Sequence, residues 1–405
     1  MAESGKGGFQ RNEKVIILLK VFSIILIFIT ISTFIILSDK KSTAEQGSSY
    51  VVMYAGSGQV LAGKNLDTPL PMASTTKIMT ALVTLKKCAL SEVVIIPKQA
   101  VGIEGSSVYL REGEHFTVEQ LLYALMLRSG NDSAVALALH VGKNMDDFVE
   151  MMNEEARSLG LKNTHFTNPH GLHDPDHFTS ARDLGLIACR AMRDPVFKKI
   201  VSTKRFDVPA SDHTAQRVWY NKNKMLSSFE GANGIKTGYT TKSGRCLVAA
   251  AEREGMQLVC VALNHYDMWN DCAAYMERAF DEYCAVRGCN EGETLYSSAD
   301  GVAVGVRGGL TFAAKKADIS ALSYRIIPDG DHKLPLKAGE DLGRIEVFAG
   351  ERLLFSSRLF TINDITSEKQ LYAAENYRGE VEVKYESEAE QISCKLRRGI
   401  PQGSR

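Results

Sequence analysis

From Val15 to Leu37 the sequence is apolar, interrupted only by Lys20 and a few hydroxyl side chains. A membrane span needs about 20 such residues, and the basic side of a span stays in the cytoplasm. Lys6, Arg11 and Lys14 precede the run, so residues 1–14 are expected to be cytoplasmic and the rest of the chain to fold outside. Ser42-Thr43-Ala44 also offers a small-residue cleavage site, making a removable signal peptide the competing expectation. The charged Asp39-Lys40-Lys41 just before it favours the anchor.

A chain of 405 residues has room for two folded domains. Lys plus Arg equals Asp plus Glu at 48 each, so no net field draws nucleic acid, and none is expected as a partner. Charged substrates must be held by local groups. The eight cysteines lack the paired short spacing of a zinc site or a redox dithiol. Most are therefore read as small buried apolar residues, with some pairing outside the cell as the alternative, and no metal or cofactor is expected.

Residues 38–48 form a polar linker without periodicity. A hairpin is expected next, with strands at Tyr50–Tyr54 and Gln59–Leu61 around Gly56-Ser57-Gly58. Helical spacing of Ile78, Met79, Leu82 and Leu85 predicts a helix over Ser74–Leu85. Thr117-Val118-Glu119-Gln120 is a capping-box pattern that opens another, running to Arg128. Further helices are expected over Asp132–His140, Asp146–Leu159, Ala181–Met192 and Asp267–Tyr283. Strands are expected at Arg205–Val208, Gly234–Thr240, Cys246–Ala251 and Met256–Leu263. Strands near both sequence ends with helices between predict an α+β domain over 49–290, with one antiparallel sheet against a helical cluster. Short alternating runs then predict a small all-β, sandwich-like domain over 291–365, followed by a polar tail over 366–405 with one alternating run at Glu380–Tyr385.

Three short motifs carry chemistry. Ser74-Thr75-Thr76-Lys77 places a hydroxyl and an amine three apart on one helical face. Serine needs a base to become a nucleophile, and lysine is a base only when neutral. Lowering its pKa by about 3 units corresponds to roughly 4 kcal/mol, within reach of burial plus a neighbouring cation. The spacing alone is weak, since Ser38-Asp39-Lys40-Lys41 in the linker also fits it. Ser129-Gly130-Asn131 falls between two helices, where Gly130 permits a sharp turn. There Ser129 could relay a proton and Asn131 bind an amide; a plain C-cap and N-cap is the structural alternative. Lys236-Thr237-Gly238 lies on a strand, with Lys236 and Gly238 on one side and Thr237 on the other. Lys236 could offer a cation to a carboxylate and depress the pKa of Lys77, while Gly238 lets substrate backbone approach.

The three motifs occur in the order and context used by serine D,D-peptidases and β-lactamases. The segment Pro71 to Leu82 resembles the active-site helix of the low-molecular-weight penicillin-binding D-alanyl-D-alanine carboxypeptidases. Thr167–Leu172, Asn221–Leu226 and Gly234–Thr240 resemble further segments of that family, and the likeness spans about Ser49 to Tyr283. Trp269-Asn270-Asp271 resembles a sporulation-associated subgroup.

The resemblance implies a β-lactamase/D,D-peptidase-like fold without cofactor. Ser74 would be acylated by a peptidoglycan stem peptide ending in D-Ala-D-Ala, and β-lactams would acylate the same serine. Lys77 would be the base and Ser129 the proton relay. Asn131 would hold the amide, Lys236 and Thr237 the terminal carboxylate, and the N–H groups of Ser74 and Tyr239 the oxyanion, with Gly238 beside the substrate backbone. Two departures stand out: Tyr239 occupies a position where the family often has histidine, and Asn264 to Glu277 contains no Arg or Lys. A β-lactamase of the same fold would need a carboxylate near Phe166-Thr167-Asn168, where there is none; Glu154 and Glu155 lie upstream. A non-catalytic wall-binding protein is the other alternative, and the intact motifs argue against it.

Overall fold

The computed structural model describes residues 47–297, 300–330, 332–375, 379–386 and 391–398. The apolar run Val15–Leu37, the basic segment before it and most of the 38–48 linker lie outside the described residues. Among the described residues no helix is long and apolar enough to cross a membrane.

The described residues open with an antiparallel hairpin of β1 (Ser49–Tyr54) and β2 (Gln59–Lys64). Helices follow. A 3-10 turn over Ala73–Thr76 leads into α1 (Lys77–Lys87). The expected capping box is present: Thr117 and Gln120 each bond the other's backbone N–H, at 3.2 and 2.9 Å, opening α2 (Val118–Tyr123). That helix widens into a π-helical turn over Ala124–Arg128. Then come α3 (Asn131–Gly142), α4 (Met145–Ser158) and α5 (Ala181–Met192). A further helix, α6 (Pro195–Ser202), escaped the sequence reading although its signals are visible: Asp194 caps it and Pro195 occupies its first turn.

The chain returns to the sheet as β3 (Ala232–Thr240), β4 (Gly244–Arg253) and β5 (Met256–Leu263), then covers it with α7 (Met268–Glu282). The five strands run in the order β2-β1-β5-β4-β3, every neighbour antiparallel. Side chains alternate along each strand, so the sheet feeds two cores. Val51, Met53, Val248, Ala250, Val259 and Val261 pack under the helical cluster. Val52, Leu247, Ala249, Leu258, Cys260 and Ala262 meet Met268, Cys272 and Met276 of α7. Burial on both faces explains why β4 and β5 read as nearly continuous apolar runs.

The C-terminal part is larger than expected. Among its described residues nine strands form one hydrogen-bonded sheet that begins with Tyr283–Cys289 and takes in Gly379–Glu386 and Gln391–Arg398. The sheet thus extends beyond the 291–365 limits: among the described residues after 365, Glu368–Glu375 is helical, the alternating run at Glu380–Tyr385 falls in the strand Gly379–Glu386, and a further strand follows. Backbone pairing overrides a polar composition when one edge of a sheet is free to accept a strand. The arrangement is also one curled sheet rather than two stacked ones. Phe312, on the strand at one edge, lies 5.9 Å from Phe355, on the third strand from the other edge, and both belong to a single core.

Candidate active site

The residue before Ser74 is in an unusual conformation: Ala73 has φ +48°, in the left-handed region that a Cβ disfavours. The 3-10 turn it begins places Ser74 three residues ahead of Lys77 at the mouth of α1. Lys77 is fully buried. Its Nζ lies 3.0 Å from Ser74 Oγ, 2.6 Å from Asn131 Oδ1 and 2.6 Å from the carbonyl oxygen of His170. A neutral amine has two N–H bonds and one lone pair. The amide and carbonyl oxygens take the two N–H groups, which leaves the lone pair for the serine hydroxyl. Burial, aided by the nearby Lys236 cation, holds the Lys77 ammonium well below lysine's ordinary range. The electrostatics favour the neutral form, and the geometry accommodates it.

The second motif turns differently from expectation. Ser129, not Gly130, takes the left-handed conformation, with φ +65°. Gly130 is needed for space: a Cβ there would stand 2.7 Å from Asp132 Oδ1 and Ser133 Oγ. Asn131 starts α3 with its amide aimed inward, Oδ1 receiving Lys77 and Nδ2 donating to the Glu104 carbonyl at 2.5 Å. Buried Asp132 accepts from Ser107 Oγ and from the backbone N–H groups of Val108 and Leu110. It thereby ties the 104–110 loop to the motif.

On β3, Lys236 is 2% exposed and donates to the Thr237 carbonyl at 2.9 Å. Burial and the neighbouring Lys222 lower its pKa to about 7. Gly238 lies against the turn that carries Ser74: a Cβ there would sit 3.0 Å from the Ser74 nitrogen and 3.1 Å from Ala73 Cβ. Thr237 is half-buried, and Tyr239 projects outward at 67% exposure. The structure thus brings Ser74, Lys77 and Asn131 into direct contact, packs Gly238 on the Ser74 backbone, and sets Lys236 close enough to act on Lys77. Ser129 is buried one residue away through Gly130.

Several working groups had no role assigned from the sequence. The Asn168-Pro169-His170-Gly171 loop supplies the His170 carbonyl to Lys77 and the Pro169 carbonyl to Thr80 Oγ1 at 2.6 Å. Gly171 has φ +87°, and a Cβ there would overlap the Ala73 carbonyl, which is the physical reason for a glycine. Glu155 is paired with Lys86 at 2.5 Å, so it is occupied elsewhere. Away from the cleft, Cys88, Glu92 and His140 bring ligand atoms within 4.8 Å of one another, a grouping invisible in linear spacing. Glu92 is already engaged by His140 and by the Ala89 N–H.

The family model for D-alanyl-D-alanine carboxypeptidase matches residues 38–267, which contain all three motifs. The chain belongs to this carboxypeptidase family. Its members are serine-type hydrolases, and Ser74, Lys77, Ser129, Asn131 and Lys236 all lie within the matched segment. The chain is 34% identical over 232 residues to the D-alanyl-D-alanine carboxypeptidase DacF of Bacillus subtilis, a match spanning 55% of this chain and 59% of that one. It is 38% identical over 213 residues to DacB2 of Mycobacterium tuberculosis, covering 52% and 72%. The structure of penicillin binding protein 5 from Haemophilus influenzae superposes over 79% of this chain and 97% of that one, with 28% identity and a TM-score of 0.67. That coverage extends past the matched family segment into the C-terminal sheet.

Proposed function

We propose that this carboxypeptidase removes the terminal D-alanine from peptidoglycan stem peptides through an acyl-enzyme on Ser74, and that β-lactams trap the same serine. Lys77 takes the Ser74 Oγ proton as the Oγ–carbon bond forms. Backbone N–H groups of Ser74 and Tyr239 hold the oxyanion. The carbon–nitrogen bond then breaks, with Ser129 passing a proton to the departing amine. Water, activated by the same lysine, hydrolyses the ester. Asn131 holds the substrate amide, and Lys236 with Thr237 holds the terminal carboxylate.

The observation carrying this reading is the Lys77 Nζ, 3.0 Å from Ser74 Oγ with two carbonyl-type oxygens at 2.6 Å on its other sides. It supports a neutral base aimed at one hydroxyl. Mass spectrometry of the detergent-solubilised chain incubated with penicillin tests it. One long-lived adduct on Ser74 is expected, abolished in Ser74→Ala and slowed about 10²- to 10⁴-fold in Lys77→Ala. An adduct on another serine defeats the assignment, and rapid release of hydrolysed penicillin favours a β-lactamase. The apolar Val15–Leu37 run supports an enzyme held at the outer face of the cytoplasmic membrane, or one secreted after cleavage. Sequencing the N-terminus of the mature protein separates the two.

A further inference from the structure

The nucleophile's turn is held from a side the catalytic motifs do not include. Thr76 lies between Ser74 and Lys77 in the chain, and its hydroxyl donates to the Ala73 carbonyl at 2.8 Å. Behind it stands His177, 2% exposed, with Nε2 2.7 Å from Thr76 Oγ1. The other ring nitrogen, Nδ1, lies 3.0 Å from the Thr167 backbone nitrogen. A backbone N–H can only donate, so Nδ1 is the acceptor and the proton sits on Nε2. Each hydrogen bond then fixes the next: Thr167 N–H to His177 Nδ1, His177 Nε2–H to Thr76 Oγ1, Thr76 O–H to the Ala73 carbonyl. Phe166 meets the imidazole edge-on, with centroids 5.8 Å apart, and holds the ring plane. The chain of bonds ends on Ala73, the residue in left-handed backbone immediately before Ser74.

We propose that His177 is a positioning residue for acylation, holding through Thr76 the left-handed Ala73 turn that presents Ser74 to Lys77. The inference rests on Ser74 being the nucleophile. It concerns how that hydroxyl and its backbone N–H are kept in place, since His177 itself touches no reacting atom. Without the imidazole donor, Thr76 is free to rotate, the Ala73 carbonyl loses its side-chain partner, and the turn can relax toward ordinary backbone. Ser74 then moves relative to an amine that is separately fixed by Asn131 and His170.

The test measures the second-order rate of fluorescent-penicillin acylation on the full detergent-solubilised chain, with thermal midpoints recorded alongside. Wild-type labelling at Ser74 is the control; its failure would overturn the nucleophile assignment and is distinguishable from a rate loss confined to the variants. His177→Ala is expected to acylate about 10- to 100-fold more slowly, as a misplacement of about 1 Å does. His177→Gln, whose side-chain amide can still donate to Thr76, is expected to retain most of the rate. Thr76→Val should reproduce the loss, and the double variant should be no slower than the slower single one, because both cut the same chain of bonds. Ala73→Gly placed in the His177→Ala background should recover part of the rate, since glycine holds positive φ without steric cost. A purely structural histidine would show none of this pattern. Folded His177→Ala acylating at the wild-type rate, losses that multiply in the double variant, or no recovery with Ala73→Gly each overturns the proposal.

Discussion

Lysine is a poor choice of base unless the protein removes its proton, and here two influences push the same way. Burial is the larger; the Lys236 cation adds to it, while Asp132 opposes. A base must be unprotonated to act, so acylation should rise with pH through the titration of Lys77, which lies below lysine's usual range. Lys236 must be charged to hold a carboxylate, and in the free enzyme burial and Lys222 bring it to about 7. Acylation should therefore fall again as Lys236 loses its proton. Lys236→Ala removes a repelling cation from Lys77, so the rising limb should move to higher pH, in addition to the weaker binding of carboxylate ligands. A pH–rate profile of penicillin acylation checks the direction. A rising limb that stays in place, or moves to lower pH, would show that Lys236 does not tune the base.

At the scale of elements, the cleft depends on how closely β3 approaches the turn ahead of α1. Gly238 is the point of contact, facing the Ser74 nitrogen at a spacing that leaves no comfortable room for a methyl group. Gly238→Ala should push the strand and the turn apart by a few tenths of an ångström. The strand keeps its pairing with β4, from Ala232↔Ala251 to Thr240↔Gly244, so most of the fold is untouched. The expected result is a loss of acylation of at least about tenfold, since reacting geometry is sensitive to small displacements. The thermal midpoint should shift far less than for a core truncation such as Val261→Ala, whose side chain is fully buried. Near-normal acylation of Gly238→Ala would show that the contact has slack. The second motif depends on a similar fit: the π-helical turn over Ala124–Arg128 delivers Ser129 in left-handed backbone, and Asp132 straps the 104–110 loop over it.

Across the whole molecule, the two sheets are joined by specific bonds as well as by apolar packing. Gln59 on β2 exchanges two hydrogen bonds with the backbone of Ala313, at 3.0 and 2.9 Å, and buried Tyr54 on β1 meets Thr311 Oγ1 at 2.7 Å. Ala285 and Ala313 of the larger sheet also enter the core beneath α7. These contacts lie on the far side of the sheet from Ser74. Tyr54→Phe combined with Gln59→Ala should therefore leave acylation unchanged while making the junction around residues 289–295 easier to cut with protease. Protection equal to that of wild type would mean that apolar packing alone holds the junction.

The sequence determined what could be read from local physics. The short apolar runs of β1 and β5, the Thr117–Gln120 capping box and the spacing of Ser74 to Lys77 each depend on neighbours within a few residues, so each was legible. The order of the three motifs, through family resemblance, supplied the fold class and the candidate residues. Tertiary structure alone decided the rest. The Ala73 strain, the His170 carbonyl on Lys77, the His177 relay and the depressed lysines all join residues from about 50 to over 150 positions apart, or depend on burial that no linear pattern encodes. The alternating run at Glu380–Tyr385 was visible, but its place in the sheet and the strand after it were not: a polar segment becomes a strand when an existing sheet edge satisfies its backbone, and that edge exists only once the chain has folded.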